Sequence, residues 1–214
     1  MGKKFLLKEL SRYRINTYAD IIYRNALLYP DQEAFIYGSE RITFSEFNAR
    51  VNRLIHGLWS SGVEKGEGIG VLSWNCLEYA DVFGAAMKGG FITSLFNPRL
   101  KANELDYIIN YSEVNTLFVG PELVDMVHSL RSRLPKVKNF ISFEGSAPEM
   151  ICHRDLLANY SKEEPDAQVE EDDPLFLIYT SGTTGVPRGA LYTHARAMDD
   201  TRRFPIALNL EHGD

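Results

Sequence analysis

Short apolar runs alternate with helix-like runs between residues 68 and 143, and this alternation restricts the fold more than any other feature of the chain. Runs such as GIGVLS and TLFV are almost continuously apolar, which is typical of strands covered on both faces of a sheet. The segments between them carry apolar side chains at helical spacing. Strands that alternate with helices predict βαβ units. We therefore predict an α/β fold with a doubly wound, mostly parallel sheet and flanking helices.

The individual elements can be predicted from the same patterns. Thr43 and Glu46 have the spacing of a capping box, and Gly62 is placed to end the helix that follows them. A short hairpin is predicted around Gly38, and Pro205 is expected to end the last helix. The predicted strands are residues 68–73, 91–96, 116–119 and 139–143, and the predicted helices are residues 17–29, 43–62, 76–88, 102–112, 121–134 and 194–203.

A charged segment separates two parts of the chain. Residues 161–173 (SKEEPDAQVEEDD) hold seven acidic side chains and a single lysine. This composition favours a solvated connector, with an acidic binding site as the alternative. We therefore expect an N-terminal α/β subdomain over residues 1–160, the connector over 161–173, and the start of a second subdomain over 174–214.

Composition narrows the function classes. The net charge of −6 argues against a nucleic-acid-binding protein, which usually has a basic surface. No apolar run approaches the ~20 residues that span a bilayer, and the opening MGKKFLLKEL is too short in apolar residues for a signal peptide. Cys76 and Cys152 lie too far apart in sequence for a metal or redox motif. The expectation is a cytoplasmic protein with reduced thiols.

The segment LIYTSGTTGVPRGA combines an apolar strand with a cluster of hydroxyls and glycines. Glycine lets the backbone approach a ligand closely, and successive backbone amides can form an anion-binding nest. Small hydroxyls add neutral donors, and an arginine adds a planar cation that fits phosphate oxygens. An ordinary surface turn between two strands is the alternative. The candidate phosphate-binding residues are Thr180, Ser181, Gly182, Thr183, Thr184, Gly185 and Arg188.

The glycine-rich segment does not fit the P-loop pattern GxxxxGK[ST], because no Lys-Ser or Lys-Thr follows it. A Walker-type NTPase or kinase is therefore disfavoured.

The run YTSGTTGVPRG resembles the phosphate-loop signature YTSGTTGxPKG of the adenylate-forming superfamily, which includes acyl-CoA synthetases, luciferases and peptide-synthetase adenylation domains. Residues 42–100, which contain Lys88-Gly89-Gly90 and Asn97-Pro98, are similar to the opening region of that family, and ELDYIINYSEVNTLFV is similar to its next segment. Arg188 departs from the family pattern, which has lysine there.

The resemblance implies two-step chemistry. A carboxylate attacks the α-phosphate of Mg-ATP to give an acyl-adenylate and pyrophosphate, and the thiol of coenzyme A then takes the acyl group. By the same resemblance, Thr180 to Gly185 and Arg188 hold the β- and γ-phosphates, and Mg²⁺ and coenzyme A are cofactors. The form GTTG favours an acyl-CoA synthetase acting on a fatty or other organic acid over an amino-acid adenylation domain.

The family's other working parts, namely the adenine segment, the magnesium glutamate, the ribose aspartate and the lysine of a mobile domain, are expected after residue 214. We therefore expect no catalytic residue and no metal ligand within these residues, and no adenylation by this chain alone. Three interpretations follow: the N-terminal part of an acyl-CoA synthetase, a noncatalytic nucleotide-binding or interaction module, and a phosphotransferase. Uncovered apolar surface is expected to favour self-association.

Three further residues that invite chemical roles are expected to be structural. His194 follows the loop and is expected to orient the next helix. His56 lies beside apolar residues of a predicted helix, and Cys76 follows a predicted strand in a core-like setting.

Overall fold

A seven-stranded sheet with helices on both faces forms the body of the protein. The structure, a computed structural model, describes residues 15–145, 147–180 and 188–208. The helices are α1 (Tyr18–Leu28), α2 (Phe44–Ser60), α3 (Leu77–Gly89), α4 (Ala102–Ser112), α5 (Val124–Leu130), α6 (His153–Asn159) and α7 (His194–Leu208). The strands are β1 (Glu33–Tyr37), β2 (Glu40–Thr43), β3 (Gly68–Leu72), β4 (Ile92–Phe96), β5 (Thr116–Val119), β6 (Asn139–Ser142), β7 (Ile151–Cys152), β8 (Pro174–Thr180) and β9 (Arg188–Thr193).

The strand order β7-β6-β5-β3-β4-β8-β9 is that of a doubly wound sheet. All neighbouring strands are parallel except β8 and β9, which are antiparallel, so the prediction of a mostly parallel sheet is confirmed. Strands β1 and β2 form a separate antiparallel hairpin. Gly38 has a φ of +59° in its turn, as the sequence predicted.

Two apolar clusters cover the two faces of the sheet. One joins α1, α2, α3 and α6 to the sheet, and the other joins α4 and α5 to the opposite face. Successive side chains of β5 point to opposite faces of the sheet. Phe118 belongs to the first cluster, while Leu117 and Val119 belong to the second. Both faces of the sheet are therefore buried, which explains the continuous apolar strands.

The predicted start of α2 is confirmed. The backbone N–H of Thr43 donates to Glu46 Oε2 at 2.8 Å, and the N–H of Glu46 donates to Thr43 Oγ1 at 3.2 Å. Gly62 follows the helix with a φ of +79°, a conformation that favours glycine.

Two predicted helices differ from the structure. The expected single helix over residues 121–134 is interrupted, because a 3₁₀ turn at Pro121–Leu123 precedes α5 and another at Arg131–Arg133 follows it. Such turns are frequent at helix ends. The expectation that Pro205 ends the last helix is wrong, since α7 continues to Leu208. A proline removes one helical hydrogen bond, which kinks a helix as often as it ends one.

The acidic segment 161–173 has no helix or strand and is attached near both ends. The Lys88 ammonium, buried at the end of α3, pairs with Glu164, and Lys65 Nζ lies 2.7 Å from Asp173 Oδ2. Strands β8 and β9, which follow the segment, extend the same sheet. The division into subdomains at residues 160 and 174 stays a prediction. No helix in the described ranges has the length and apolar character needed to cross a membrane.

Candidate functional site

The β8–β9 hairpin brings the two ends of the glycine-rich segment together. Strand β8 runs parallel to β4, with Ser94 opposite Leu177, so both strands end at the same edge of the sheet. Along the antiparallel β8–β9 pair the register ends with Thr180 opposite Arg188. Open α/β sheets bind ligands outside the carboxyl ends of their strands. The hairpin therefore carries the predicted loop to that edge.

The predicted phosphate-binding residues fall into two groups. Ser181, Gly182, Thr183, Thr184 and Gly185 lie outside the described residues. Thr180 and Arg188 lie on paired strands, and their backbones face each other across the hairpin. The binding role of all seven residues stays a prediction.

Close packing supports the hairpin just before the loop. A Cβ atom on Gly189 would lie 2.9 Å from Leu177 Cδ1 and 3.3 Å from Tyr179 Cε1, so a larger residue here would push the Leu177 side chain aside. The Tyr179 ring contacts Tyr111 edge-on at 6.1 Å between centroids. Burial, reinforced by Tyr111, raises the pKa of the Tyr179 hydroxyl to about 12, so it stays neutral near the loop.

Asp173 fixes the base of the same hairpin. Its carboxylate accepts the backbone N–H of Glu170 at 2.8 Å and pairs with Lys65, and its carbonyl accepts the N–H of His194 at 3.1 Å. Burial acts to raise the pKa of Asp173, but the Glu170 N–H and the Lys65 ammonium outweigh it and hold that pKa below its usual value. The base of the hairpin is thus tied to the turn before β3.

His194 is fully buried where β9 meets α7. The backbone N–H of Tyr18 donates to His194 Nδ1 at 3.4 Å, which places the proton of the neutral ring on Nε2. Nε2 has no hydrogen-bond partner among the described residues. Burial lowers the pKa of His194, although Asp173 and Asp20 oppose that shift. The contact joins the start of α1 to the start of α7, as an orienting residue would.

A crevice opens at the same edge, between the ends of β3 and β4. The connection after β3 packs on one face of the sheet and the connection after β4 on the other, so this is the topological switch point where such sheets bind ligands. The crevice has a volume of about 540 Å³. Its lining residues include Ser73, Trp74, Asn75, Tyr79, Asn97 and Arg99.

A cation and an aromatic ring meet in the crevice. The Arg99 guanidinium lies 5.4 Å from the centroid of the Trp74 ring, which is 44% exposed. Within the ranges that the structure covers, no carboxylate pairs with Arg99. This pair can hold a planar group beside an anionic one. Sequence reasoning missed it, since Asn97 and Pro98 were noted only for their resemblance to the family and Trp74 follows a different strand, β3.

Four other titratable groups of the described residues make structural contacts. Arg50 binds the fully buried Asp81 through two hydrogen bonds of 2.8 and 2.6 Å, and the buried His153 lies beside them. Burial raises the pKa of Asp81 to about 6 against the effect of Arg50, and burial lowers the pKa of His153 to about 3. Burial also raises the pKa of the Cys76 thiol to about 11, which makes it a weak nucleophile.

Two further expectations can be compared with the structure. His56 Nε2 lies 3.1 Å from the Glu163 carbonyl oxygen, and its ring stands edge-on to Trp59, which are structural contacts. In the part of the chain that the structure describes, no group of three or more His, Cys, Asp or Glu side chains is arranged to hold a metal ion.

The fold and this edge define a class of protein: a doubly wound α/β domain whose β8–β9 hairpin ends at the same sheet edge as its switch-point crevice. A sequence model of the AMP-binding enzyme family matches residues 22–213. The chain belongs to this family, whose members are enzymes, and the resemblance of the glycine-rich segment is thereby confirmed.

Individual relatives agree with this assignment. The chain is similar to a long-chain-fatty-acid–CoA ligase of Thermus thermophilus, with 32% identity over 72% of this chain and 28% of the relative. It is similar in structure to a long-chain-fatty-acid–CoA ligase of Archaeoglobus fulgidus, with a TM-score of 0.84, 25% identity, and coverage of 94% of this chain and 42% of that one. A third relative, the anthranilate CoA ligase AuaEII, was solved with anthranoyl-AMP; its TM-score is 0.80, with 26% identity over 94% of this chain and 38% of that one.

The chain spans about a third of the length of the curated relatives it matches.

Proposed function

We propose that this chain is the N-terminal, phosphate-binding part of an ATP-dependent acyl-CoA synthetase that acts on a fatty or other organic acid. The proposed reaction joins a carboxylate to ATP, with release of pyrophosphate, and then transfers the acyl group to coenzyme A. The observation that carries the proposal is the β8–β9 hairpin, which brings Thr180 and Arg188 face to face at the carboxyl edge of the sheet. The CoA ligases among its relatives support the substrate class.

The role proposed for the loop is electrostatic. Backbone amides and hydroxyls of residues 180–185, with the Arg188 cation, would neutralise charge on the β- and γ-phosphates of ATP. Stabilising charge on transferring and leaving phosphates accounts for most of the catalysis in phosphoryl-group chemistry. Arginine keeps the charge of the family's lysine but binds in a fork, so it favours two-point contact with phosphate oxygens.

The crevice supplies a fitting place for the nucleotide end of coenzyme A. The exposed Trp74 ring can stack on a planar base, and Arg99 can pair with a phosphate. Both residues lie at the sheet edge that receives the hairpin. Mg²⁺ would be held mainly by the phosphates of ATP and by water, with one or two carboxylates from the protein.

The experiment is carboxylate-dependent exchange of labelled pyrophosphate into ATP. It should be measured for this chain and for any longer protein that contains it, with fatty and aromatic acids as substrates. We expect exchange from a protein that includes the family's later segments and none from residues 1–214 alone. ATP binding without exchange by the longer protein, with every acid tried, would support a noncatalytic nucleotide-binding module instead.

A further inference from the structure

A cavity of about 580 Å³ lies between α1, β1, α2 and α3. We call it the apolar chamber. Its walls are mostly aliphatic and aromatic side chains, among them Ile21, Phe35, Phe47, Phe83 and Met87. Cavities of this size with apolar walls are typical of small-molecule sites.

The walls of the chamber are held by specific contacts. The Phe35 and Phe47 rings meet edge-on at 4.9 Å, and the Tyr79 and Phe83 rings stack at 5.4 Å. On one side, Gly84 lets α3 approach α2 so closely that an added Cβ would lie 2.3 Å from Val51 Cγ2. The chamber is therefore formed by packing that a ligand would not have to create.

Among the residues that the structure describes, no charged side chain lines the chamber. Its polar groups are neutral: the Asn25 and Asn75 amides, the Tyr18 and Tyr79 hydroxyls, and the Cys76 thiol. Burial raises the pKa of Cys76 to about 11 and also raises the pKa of Tyr79, so both stay protonated at neutral pH. A charged ligand would lose its hydration here without gaining a counter-ion.

A small molecule fits this lining better than a polypeptide does. Each residue of a polypeptide brings an N–H and a C=O that need partners when they are buried. Among the described residues, the chamber offers a few side-chain donors and acceptors, which lie at Asn25 and around Tyr79. An alkyl or aryl body needs none. One polar end on the ligand would match such a group.

We propose that the apolar chamber binds an uncharged small molecule with an alkyl or aryl body and a single polar end. The carboxylates proposed above as substrates are the wrong charge for it. The inference does not depend on nucleotide binding, so the two proposals can fail separately.

The test compares two ligands of equal chain length and different charge, 1-octanol and octanoate. Each is titrated into the 214-residue chain by isothermal titration calorimetry, with methyl NMR shifts of Ile21 and Met87 to locate the site. We expect saturable binding of 1-octanol at one site and at least tenfold weaker binding of octanoate. Equal affinities, or no saturable binding of 1-octanol, would overturn the proposal.

A pair of matched substitutions checks the location. Ala80 lies on α3 and lines the chamber, whereas Ala158 lies exposed on α6 away from it. Ala80→Leu should weaken 1-octanol binding at least tenfold, and Ala158→Leu should leave it unchanged. If Ala80→Leu does not fold, Met87→Trp fills the same space from the next turns of the helix. Unchanged binding in a folded chamber variant contradicts the assignment.

A second copy of the chain is the competing occupant. Light scattering at the protein concentrations used for the titration separates the two. Dimers that exclude 1-octanol would assign the chamber to an interface between copies and overturn the small-molecule proposal, whereas 1-octanol binding that is the same in monomers and in associated chains supports it.

Discussion

Helices α2 and α3 form one layer, and the β8–β9 hairpin forms a second region. The two regions differ in how their side chains are buried. In the helical layer the fully buried Asp81 carboxylate is paired with Arg50. On the hairpin, apolar side chains stay exposed, with Ile178 44% and Leu191 56% accessible. In the first region a buried charge is matched within the chain, whereas the second region leaves apolar side chains uncovered. Phosphate binding is proposed for the second region.

The largest effect is expected from the buried ion pair. Arg50→Met leaves the Asp81 carboxylate, which is fully buried, without its cation, and should lower the free energy of unfolding by about 3–5 kcal/mol. Arg41→Met is the matched control, because Arg41 and its partner Glu33 are 49% and 50% exposed, and it should cost less than about 1 kcal/mol. Denaturant unfolding measures both. Similar losses would contradict the contrast between paired interior and open surface.

The second-largest effect on stability is expected from the close packing of α2 and α3. Gly84→Ala would improve helix propensity, but its Cβ would lie 2.7 Å from Phe47 Cζ and closer still to Val51. Overpacking should cost about 1–3 kcal/mol. In a double-mutant cycle with Val51→Ala, the losses should be less than additive, because the smaller residue makes room. Stabilisation by Gly84→Ala would show that α2 and α3 are not tightly packed.

A pH effect is expected at the base of the hairpin. Burial lowers the pKa of His194 in the folded protein below its unfolded value of about 6.5, so the unfolded chain binds more protons below that pH. Stability from this group is present above pH 6.5 and is lost as the pH falls. Between pH 7.5 and 5.5 the wild type should lose more stability than His194→Gln, by no more than about 1.4 kcal/mol, because pH 5.5 lies one unit below the unfolded pKa. His153 titrates in both proteins and cancels. Equal losses of stability in the two proteins would show that His194 does not contribute to the pH dependence.

The smallest effect on stability is expected on the exposed hairpin. Leu191→Lys should change the free energy of unfolding by less than about 0.5 kcal/mol, since the side chain is largely exposed. The same change should reduce self-association at high concentration, which light scattering detects. A wild-type chain that stays monomeric at high concentration would contradict self-association through this exposed apolar surface.

Much of the fold could be predicted from short sequence patterns. The capping box of Thr43 and Glu46, the glycines at 38 and 62, and the strand–helix alternation all depend on residues near each other in sequence. The interruption of the helix over residues 121–134 and the continuation of α7 through Pro205 were not predicted, because helix ends depend on small energy differences.

Contacts between distant residues could not be predicted. Lys88 finds Glu164, Arg50 finds Asp81, and Arg99 finds Trp74 only after the fold has formed. The candidate site contains one part that could be predicted and one that could not. Its glycine-rich motif was evident in the sequence, whereas the crevice beside it depends on two strands that meet in the sheet.

Phosphate binding by the hairpin is tested most directly by the affinity of this chain for Mg-ATP. Isothermal titration calorimetry would compare the wild type, Arg188→Ala and Arg196→Ala. Arg196 lies exposed on α7 and pairs only with its neighbour Asp200 among the described residues, so it serves as the control. A charged hydrogen bond contributes about 1.5–3 kcal/mol, so Arg188→Ala should weaken binding by about tenfold or more while Arg196→Ala leaves it unchanged. Equal affinities for the wild type and Arg188→Ala, or no binding by the wild type, would contradict a phosphate-binding hairpin.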